Sequence, residues 1–226
     1  MRASVIVPTY NEKDNLKALV EAVLSAADVE IVVVDDASPD GTGELADSLA
    51  VTYGIKVVHR SGKLGLASAI LEGFNASSGE ILGVIDADLS HPPQLIPKLI
   101  EPIAEGRADV VFASRYVKGG GQINWPWWRK ITSAGAVLLA RPLTSVKDCV
   151  SGYFFFRREV MEGVRFDNTS FKIGLELLVK GRYSNVVEVP YTFENRKKGK
   201  SKLDYKEYAN YIRHLMKLYA YRADLK

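Results

Sequence analysis

EIVVVDD (residues 30–36) and EILGVIDAD (residues 80–88) decide the fold. Each is a short apolar run that stops at carboxylates, as expected of a strand buried on both faces whose polar end leaves the sheet. Working outward, SVIVP (4–8), IKVVH (55–59) and DVVFASR (109–115) repeat the pattern, and helix-length amphipathic stretches such as NLKALVEAVLSAA (15–27) and GLASAILEGFNAS (65–77) lie between them. This alternation predicts an α/β protein: one Rossmann-like domain with a mostly parallel central sheet flanked by helices. Its functional residues should gather at the carboxyl ends of the strands.

The chain has 226 residues, 47% hydrophobic and 25% charged, which suffices for one full core without a metal or disulfide. Disorder, collagen-like repeats and a disulfide-stapled fold are excluded. Cys149 is the single cysteine, so no internal bridge forms, in keeping with a reducing compartment. There is no apolar run of about 18 residues, and MRASVIVPTY has one basic residue before a strand-like run. Neither a transmembrane helix nor a signal peptide is expected. The net charge of +3 hides an asymmetry: residues 196–226 hold 10 Lys and Arg against 3 Asp and Glu, +7, leaving 20 against 24, −4, for residues 1–195.

Beyond Arg115 the texture changes. INWPWWRKITSAGAVLLARPL (123–143) reads as a loop entering a surface helix, GYFFFRRE (152–159) and NVVEVPYTF (185–193) as strands, and FKIGLELLVKG (171–181) as a helix. A basic loop, RKKGKSKL (196–203), precedes a Tyr-rich helix from about Asp204 to Tyr221. Composition marks no linker. We expect a catalytic domain over 1–203 and, over 204–226, a basic helix packed on it or at a membrane surface.

Neither G-x-G-x-x-G nor G-x-x-x-x-G-K-[ST] occurs, which removes the main support for dehydrogenase and NTPase readings. Carboxylates at strand ends remain: Asp35 and Asp36, then Asp86 and Asp88. Alternate residues leaving a strand can aim two hard oxygen ligands at one divalent cation bridging a diphosphate. The plainer alternative is an acidic turn before the Pro92-Pro93 helix start. PTYNE (8–12) has two readings as well. Pro8 ends the first strand and Asn11 caps the first helix, or the turn holds a nucleoside through Tyr10 and Glu12.

PTYNE, VVVDDASPDGT, RSGKLGLASAILEGF, DADLSHPP, ASRY, DCVSGY and RKKGKSKL, in this order, resemble the family 2 glycosyltransferases of GT-A fold. Within that family they resemble the dolichyl-phosphate (polyprenyl-phosphate) mannose synthases, from Ser4 to about Tyr205. The resemblance implies that Pro8, Tyr10, Glu12 and Asp36 bind the donor nucleoside. It also implies that Asp86, Ala87 and Asp88 form the D-x-D holding Mg²⁺ or Mn²⁺ on the donor diphosphate. Where some relatives carry Gln, this chain has Ser90, a ligand through water. Lys63 falls near the diphosphate, or is an exposed turn lysine. Arg115, Arg129 and Ser133 match positions gripping the acceptor phosphate, with Arg196 and Lys202 in a basic loop over both phosphates. Asp88, Arg115, Arg129 and Lys202 are then the residues expected to carry catalysis. Asp148 to Tyr153 and Lys172 receive no role, Glu176 faces either the core or the acceptor site, and His91 either touches the metal site or packs at a helix start.

The implied reaction moves mannose from GDP-mannose to a dolichyl (polyprenyl) phosphate with inversion. A phosphate monoester is already ionised near neutral pH, so no dedicated base is needed. A lipid acceptor requires a membrane surface, and Trp125, Trp127, Trp128, Arg129 and Lys130 combine interfacial aromatics with cations ahead of an apolar helix face. The alternative is a packed helix with buried Trp. Tyr205, Tyr208, Ile212, Leu215 and Tyr219 recur at helical spacing as a possible stripe toward lipid or a separate membrane-anchoring subunit. The expected location is cytoplasmic, peripheral on the cytosolic face of a membrane, with no nucleic-acid partner. Rival readings are a UDP-glucose-dependent polyprenyl-phosphate glucosyltransferase, a transferase acting on a glycan hydroxyl, a non-catalytic nucleotide-sugar or lipid-phosphate binding module, and a nucleotidyltransferase.

Overall fold

The computed structural model describes residues 1–167, 172–194 and 205–224. In chain order the strands are β1 (Ala3–Thr9), β2 (Glu30–Asp35), β3 (Lys56–His59), β4 (Ile81–Val84), β5 (Val110–Ser114), β6 (Gly121–Ile123), β7 (Phe154–Arg157), β8 (Val186–Pro190) and β9 (Thr192–Glu194). The helices are α1 (Lys13–Ala26), α2 (Thr42–Tyr53), α3 (Leu66–Ala76), α4 (Ile96–Ala104), α5 (Trp127–Ala140), α6 (Ile173–Lys180) and α7 (Tyr205–Ala223).

Seven strands form one sheet in the order β3-β2-β1-β4-β7-β5-β8. All neighbours are parallel except β7, which runs antiparallel to both β4 and β5. The order reverses direction at β1 and β4, so the crevice between their carboxyl ends is the topological switch point where α/β sheets receive ligands. Because β7 is antiparallel, the segment entering it, Asp148 to Tyr153, also reaches that edge. β6 and β9 make a separate two-stranded parallel sheet. NVVEVPYTF is therefore two strands, broken after Pro190, which cannot donate to a ladder.

Strand alternation splits the core in two. Ile6, Val34, Val84, Phe112 and Phe154 pack with α3, α6 and α7, while Val5, Val7, Val33, Ile85 and Phe155 pack with α1, α2 and α4. Burying each such side chain is worth about 1.5–3 kcal/mol, which is why these uninterrupted apolar strands are centred in the sheet. Pro8 lies inside β1, opposite Val34, rather than ending it. On the C-terminal helix the expected stripe divides: Leu215 is buried with Tyr211 and Leu218, whereas Tyr208, Ile212 and Tyr219 are exposed. The Tyr205 side chain is outside the described set. The described positions do share one helical face, but that face lies at the boundary between core and solvent. α7 is anchored along the margin of this row, with Tyr211 donating to the Ala136 carbonyl at 2.7 Å and the partly exposed Tyr219 to that of Leu139 at 2.5 Å.

Candidate functional site

The loops after β1, β2, β3, β4 and β5 all emerge at the carboxyl edge, and α1, α2 and α3 start there with their positive dipole ends. Among the described residues the non-glycine positions with left-handed backbone are Asn11, Ala37, Leu89 and Asn124, and the first three sit in these loops. Leu89, at φ 60°, pays a steric penalty of about 1–2 kcal/mol between Asp88 and Ser90, a mark of a loop shaped for a task.

Asp35 is the scaffold of the loops after β1 and β2. Buried at the end of β2, it accepts from Thr9 Oγ1 at 3.0 Å, Ser38 Oγ at 2.5 Å and the Ser38 N–H at 3.0 Å, tying the first two loops together. Asn11 does not cap α1. It takes left-handed φ and donates its N–H to Ser38 Oγ, while Glu12 occupies the cap position and accepts from Asn15 Nδ2 at 2.9 Å. Asp36 is paired with the buried Arg60, and its other oxygen accepts the Gly65 N–H at 3.1 Å. Gly65 has φ 104°, open to glycine alone in practice. Arg60 also reaches Ser68 Oγ at 2.7 Å and Glu72 at 3.0 Å. Each Asp36 oxygen keeps one lone-pair direction for a base N–H. Lys63 Nζ lies 4.3 Å from the centre of the Tyr10 ring, so these two expected nucleotide residues meet across their loops.

Asp86 and Asp88 follow the end of β4 in a turn rather than projecting from the strand itself. The Asp86 side chain is 42% exposed, with Oδ2 3.2 Å from His91 Nε2. Asp88 is largely buried and accepts the Ser90 N–H at 3.0 Å. Ser90 Oγ is buried and without a hydrogen-bond partner, the kind of atom a bound ligand satisfies. Among the described residues no group of three His, Cys, Asp or Glu is placed to hold a metal. Two carboxylates close in sequence at a strand end are hard oxygen donors of the kind a divalent cation takes.

After β5, Arg115 forms a two-pronged pair with the fully buried Asp148, Nε to Oδ2 at 2.8 Å and Nη2 to Oδ1 at 2.7 Å, while the Arg115 N–H reaches Oδ2 at 2.8 Å. Burial opposes the charge, and Asp148 more than offsets it, so the guanidinium pKa is raised. Trp125 and Phe193 flank it at 5.3 and 5.8 Å. Ser133 Oγ receives the Tyr116 hydroxyl at 2.9 Å and Arg115 Nη2 at 3.4 Å. Arg129 is one turn earlier on α5, half-buried, over the Trp128 ring. The structure thus brings Arg115 and Ser133 together with Arg129 on the same helix. Arg196 and Lys202 lie outside the described residues. Trp127, 73% exposed, and Trp128 face outward, so α5 is not a helix with buried tryptophans. Glu176 faces the core, fully buried among Lys180 at 2.5 Å, His214 at 3.3 Å and the Asp167 N–H at 2.9 Å.

Arg60, Asp148 and Lys172 line the same edge as the expected site residues, and the sequence assigns them no role. Arg60 and Asp148 stand in the quoted motifs, but pairing across 24 and 33 positions leaves no local signal. Lys172, entering α6, has its pKa lowered, first by burial, with the charges of Asp86, Arg115 and Asp148 acting on it.

A profile described as "Glycosyl transferase family 2" matches residues 4–165. The chain belongs to that family. It is similar to the dolichol-phosphate mannosyltransferase of Pyrococcus furiosus, 47% identical over 100% of this chain and 66% of that protein. It is also similar to that of Saccharomyces cerevisiae, 38% identical over 97% of this chain and 87% of the other. A third relative is the polyprenol monophosphomannose synthase of Mycolicibacterium smegmatis, 41% identical over 89% and 81%. The chain spans just under two thirds of the Pyrococcus protein's length. Among solved structures, a mannosyltransferase from Pyrobaculum calidifontis in complex with GDP-Man and Mn²⁺ superposes with a TM-score of 0.66 at 20% identity, covering 99% of this chain and 64% of that one. Mannosyl-3-phosphoglycerate synthase from Rubrobacter xylanophilus gives 0.66 at 21%, covering 98% and 74%. This family 2 chain has the GT-A fold, an α/β domain with a mostly parallel sheet, and among its described residues no helix is long and apolar enough to cross a membrane.

Proposed function

We propose that this chain is the catalytic part of an inverting, metal-dependent mannosyltransferase acting from GDP-mannose onto a dolichyl or other polyprenyl phosphate. The observation that carries the reading is that the Asp86/Asp88 carboxylates after β4 and Arg115 after β5 open at the same sheet edge, with Lys172 in electrostatic reach of both Asp86 and Arg115, while Arg115, Ser133 and Arg129 supply cations and a hydroxyl. The names of the relatives favour mannose and the lipid phosphate.

Tyr10, Glu12 and Asp36 hold the nucleoside, Asp36 being oriented by Arg60 and Gly65, with Pro8 shaping the loop and Lys63 beside the diphosphate. Asp86 and Asp88, with Ala87 between them and Ser90 behind, hold Mg²⁺ or Mn²⁺. When bound, the cation neutralises charge on the departing diphosphate. Arg115, its geometry locked by Asp148, acts with Arg129 and Ser133 to place the acceptor phosphate, whose oxygen is already anionic and attacks opposite the leaving group. Arg196 and Lys202 close over both phosphates, a role supported by the motif. Residues 1–203 form the catalytic unit, and 204–226 with α5 meet the cytosolic membrane surface or a separate membrane-anchoring subunit.

The test incubates purified protein, Mn²⁺ or Mg²⁺ and a polyprenyl phosphate with labelled GDP-mannose, UDP-glucose or UDP-N-acetylglucosamine, following label into the organic phase. Metal-dependent labelling from GDP-mannose is expected, and Asp88→Asn, which keeps the acceptor for the Ser90 N–H, should lower it by at least about 100-fold with an unchanged melting midpoint. Labelling from UDP-glucose overturns the sugar assignment. Nucleotide binding without any transfer returns the chain to a binding module.

A further inference from the structure

We propose that His91 is a positioning residue that aims the Asp86 carboxylate at the donor's cation, an inference that rests on the metal reading above. His91 Nε2 lies 3.2 Å from Asp86 Oδ2. A carboxylate only accepts, so Nε2 carries the hydrogen and donates it. The two side chains differ in depth: that of His91 is 4% exposed and that of Asp86 42%. The histidine therefore stands behind the carboxylate, which faces the crevice.

The ring has little freedom to be anywhere else. Tyr153, Tyr191 and Phe193 surround it at 5.0, 5.6 and 5.7 Å between ring centres. Tyr153 is itself fixed by its hydroxyl, which donates to the Pro92 carbonyl at 3.1 Å. Nδ1 is buried and has no hydrogen-bond partner. A purely space-filling residue here would be better as a phenylalanine, since an unpaired buried nitrogen costs stability. The ring's one directional bond, to Asp86, is what a histidine adds. Gly152 bounds the same oxygen: a Cβ at 152 would stand 3.3 Å from Asp86 Oδ2. The carboxylate is thus held by a donor and bordered by a residue without a side chain. Hydrogen bonds of this kind, one layer behind a metal ligand, fix its rotamer and are typically worth 10–100-fold in metal affinity.

The test is calorimetric binding of GDP, or of UDP should that prove the tighter nucleotide, with Mn²⁺ and with EDTA. It compares wild type, His91→Phe, His91→Gln and Asp86→Asn, with a thermal midpoint for each. Asp86→Asn should erase the Mn²⁺-dependent gain. His91→Phe should weaken Mn²⁺-supported binding by about 10–100-fold while leaving affinity in EDTA unchanged. His91→Gln, whose amide N–H can stand in for Nε2–H, should recover most of the loss. The proposal is overturned if His91→Phe keeps the Mn²⁺-dependent gain while Asp86→Asn abolishes it. It is equally overturned if Phe and Gln lose binding alike, which is packing. If Asp86→Asn leaves the gain intact, the metal reading fails first, a pattern distinct from the other two.

Discussion

Asp148 has no solvent exposure, and Arg115 presents three N–H groups to its carboxyl oxygens. Breaking a buried pair by removing one partner leaves the other charge stranded, at about 3–5 kcal/mol. Asp148→Ala should therefore lower the unfolding free energy in urea by that amount. A loss under about 1 kcal/mol would show the pair to be screened like a surface bridge. The neighbouring Cys149 illustrates the opposite outcome of burial: burial and then Asp148 push its thiol up to about 12, outweighing the smaller opposing effect of Arg141, so it packs as a small apolar residue. The same low-dielectric ground keeps Arg115 charged and suppresses the thiolate.

At the scale of elements, α3 lies flush on β1 and β2 because Gly73 has no side chain. A Cβ there would come within 2.5 Å of Ile6 and 3.1 Å of Val34, both fully buried. Alanine gains about 0.5–1 kcal/mol of helix propensity over glycine, whereas overpacking a tight core costs about 1–3 kcal/mol. Gly73→Ala should thus be net destabilising in thermal or urea unfolding, and a rise in stability would mean that the helix can lift freely. Glu30 links the amino ends of the first strands: it accepts from Ser4, from the Ser78 N–H at 2.7 Å, and pairs with Lys56 at 2.7 Å. Burial resists its charge, but these partners outweigh it and hold the carboxyl at about 2. A depressed carboxylate stabilises the fold fully above its unfolded pKa of about 4.3 and loses that contribution as pH falls toward 2. Unfolding midpoints between those values should fall less steeply with acid in Glu30→Gln than in wild type.

Taken as a whole, the molecule has an uneven surface. Trp127, Ile131 and Leu138 of α5 are 73, 63 and 71% exposed, and Ile212 and Met216 of α7, which packs beside it, are exposed too. Apolar groups concentrated on two neighbouring helices, with a basic C-terminal stretch, suit an interface with anionic lipid. Under the proposed function, sedimentation with vesicles containing anionic lipid should fall roughly tenfold or more for Ile131→Ser combined with Leu138→Ser. Unchanged sedimentation would mean that this face meets something other than lipid.

The sequence by itself determined the α/β class, the carboxyl-edge location of Asp36, Asp86 and Asp88, the surface helix after the tryptophans, and the family, because hydrophobic periodicity and ordered motifs are local properties of the chain. It did not show that β7 runs antiparallel, that NVVEVPYTF divides between two sheets, or that Leu215 is buried while Ile212, one turn before it, is exposed. Of its two readings of PTYNE, the one with Asn11 as a helix cap is not what forms, since the backbone there turns left-handed and Glu12 takes the cap position. Only the tertiary structure joined Asp36 to Arg60, Arg115 to Asp148 and Asp86 to His91. Strand direction and charge pairing arise when distant segments are brought to one edge, and a buried charge takes its meaning from the neighbour that folding supplies.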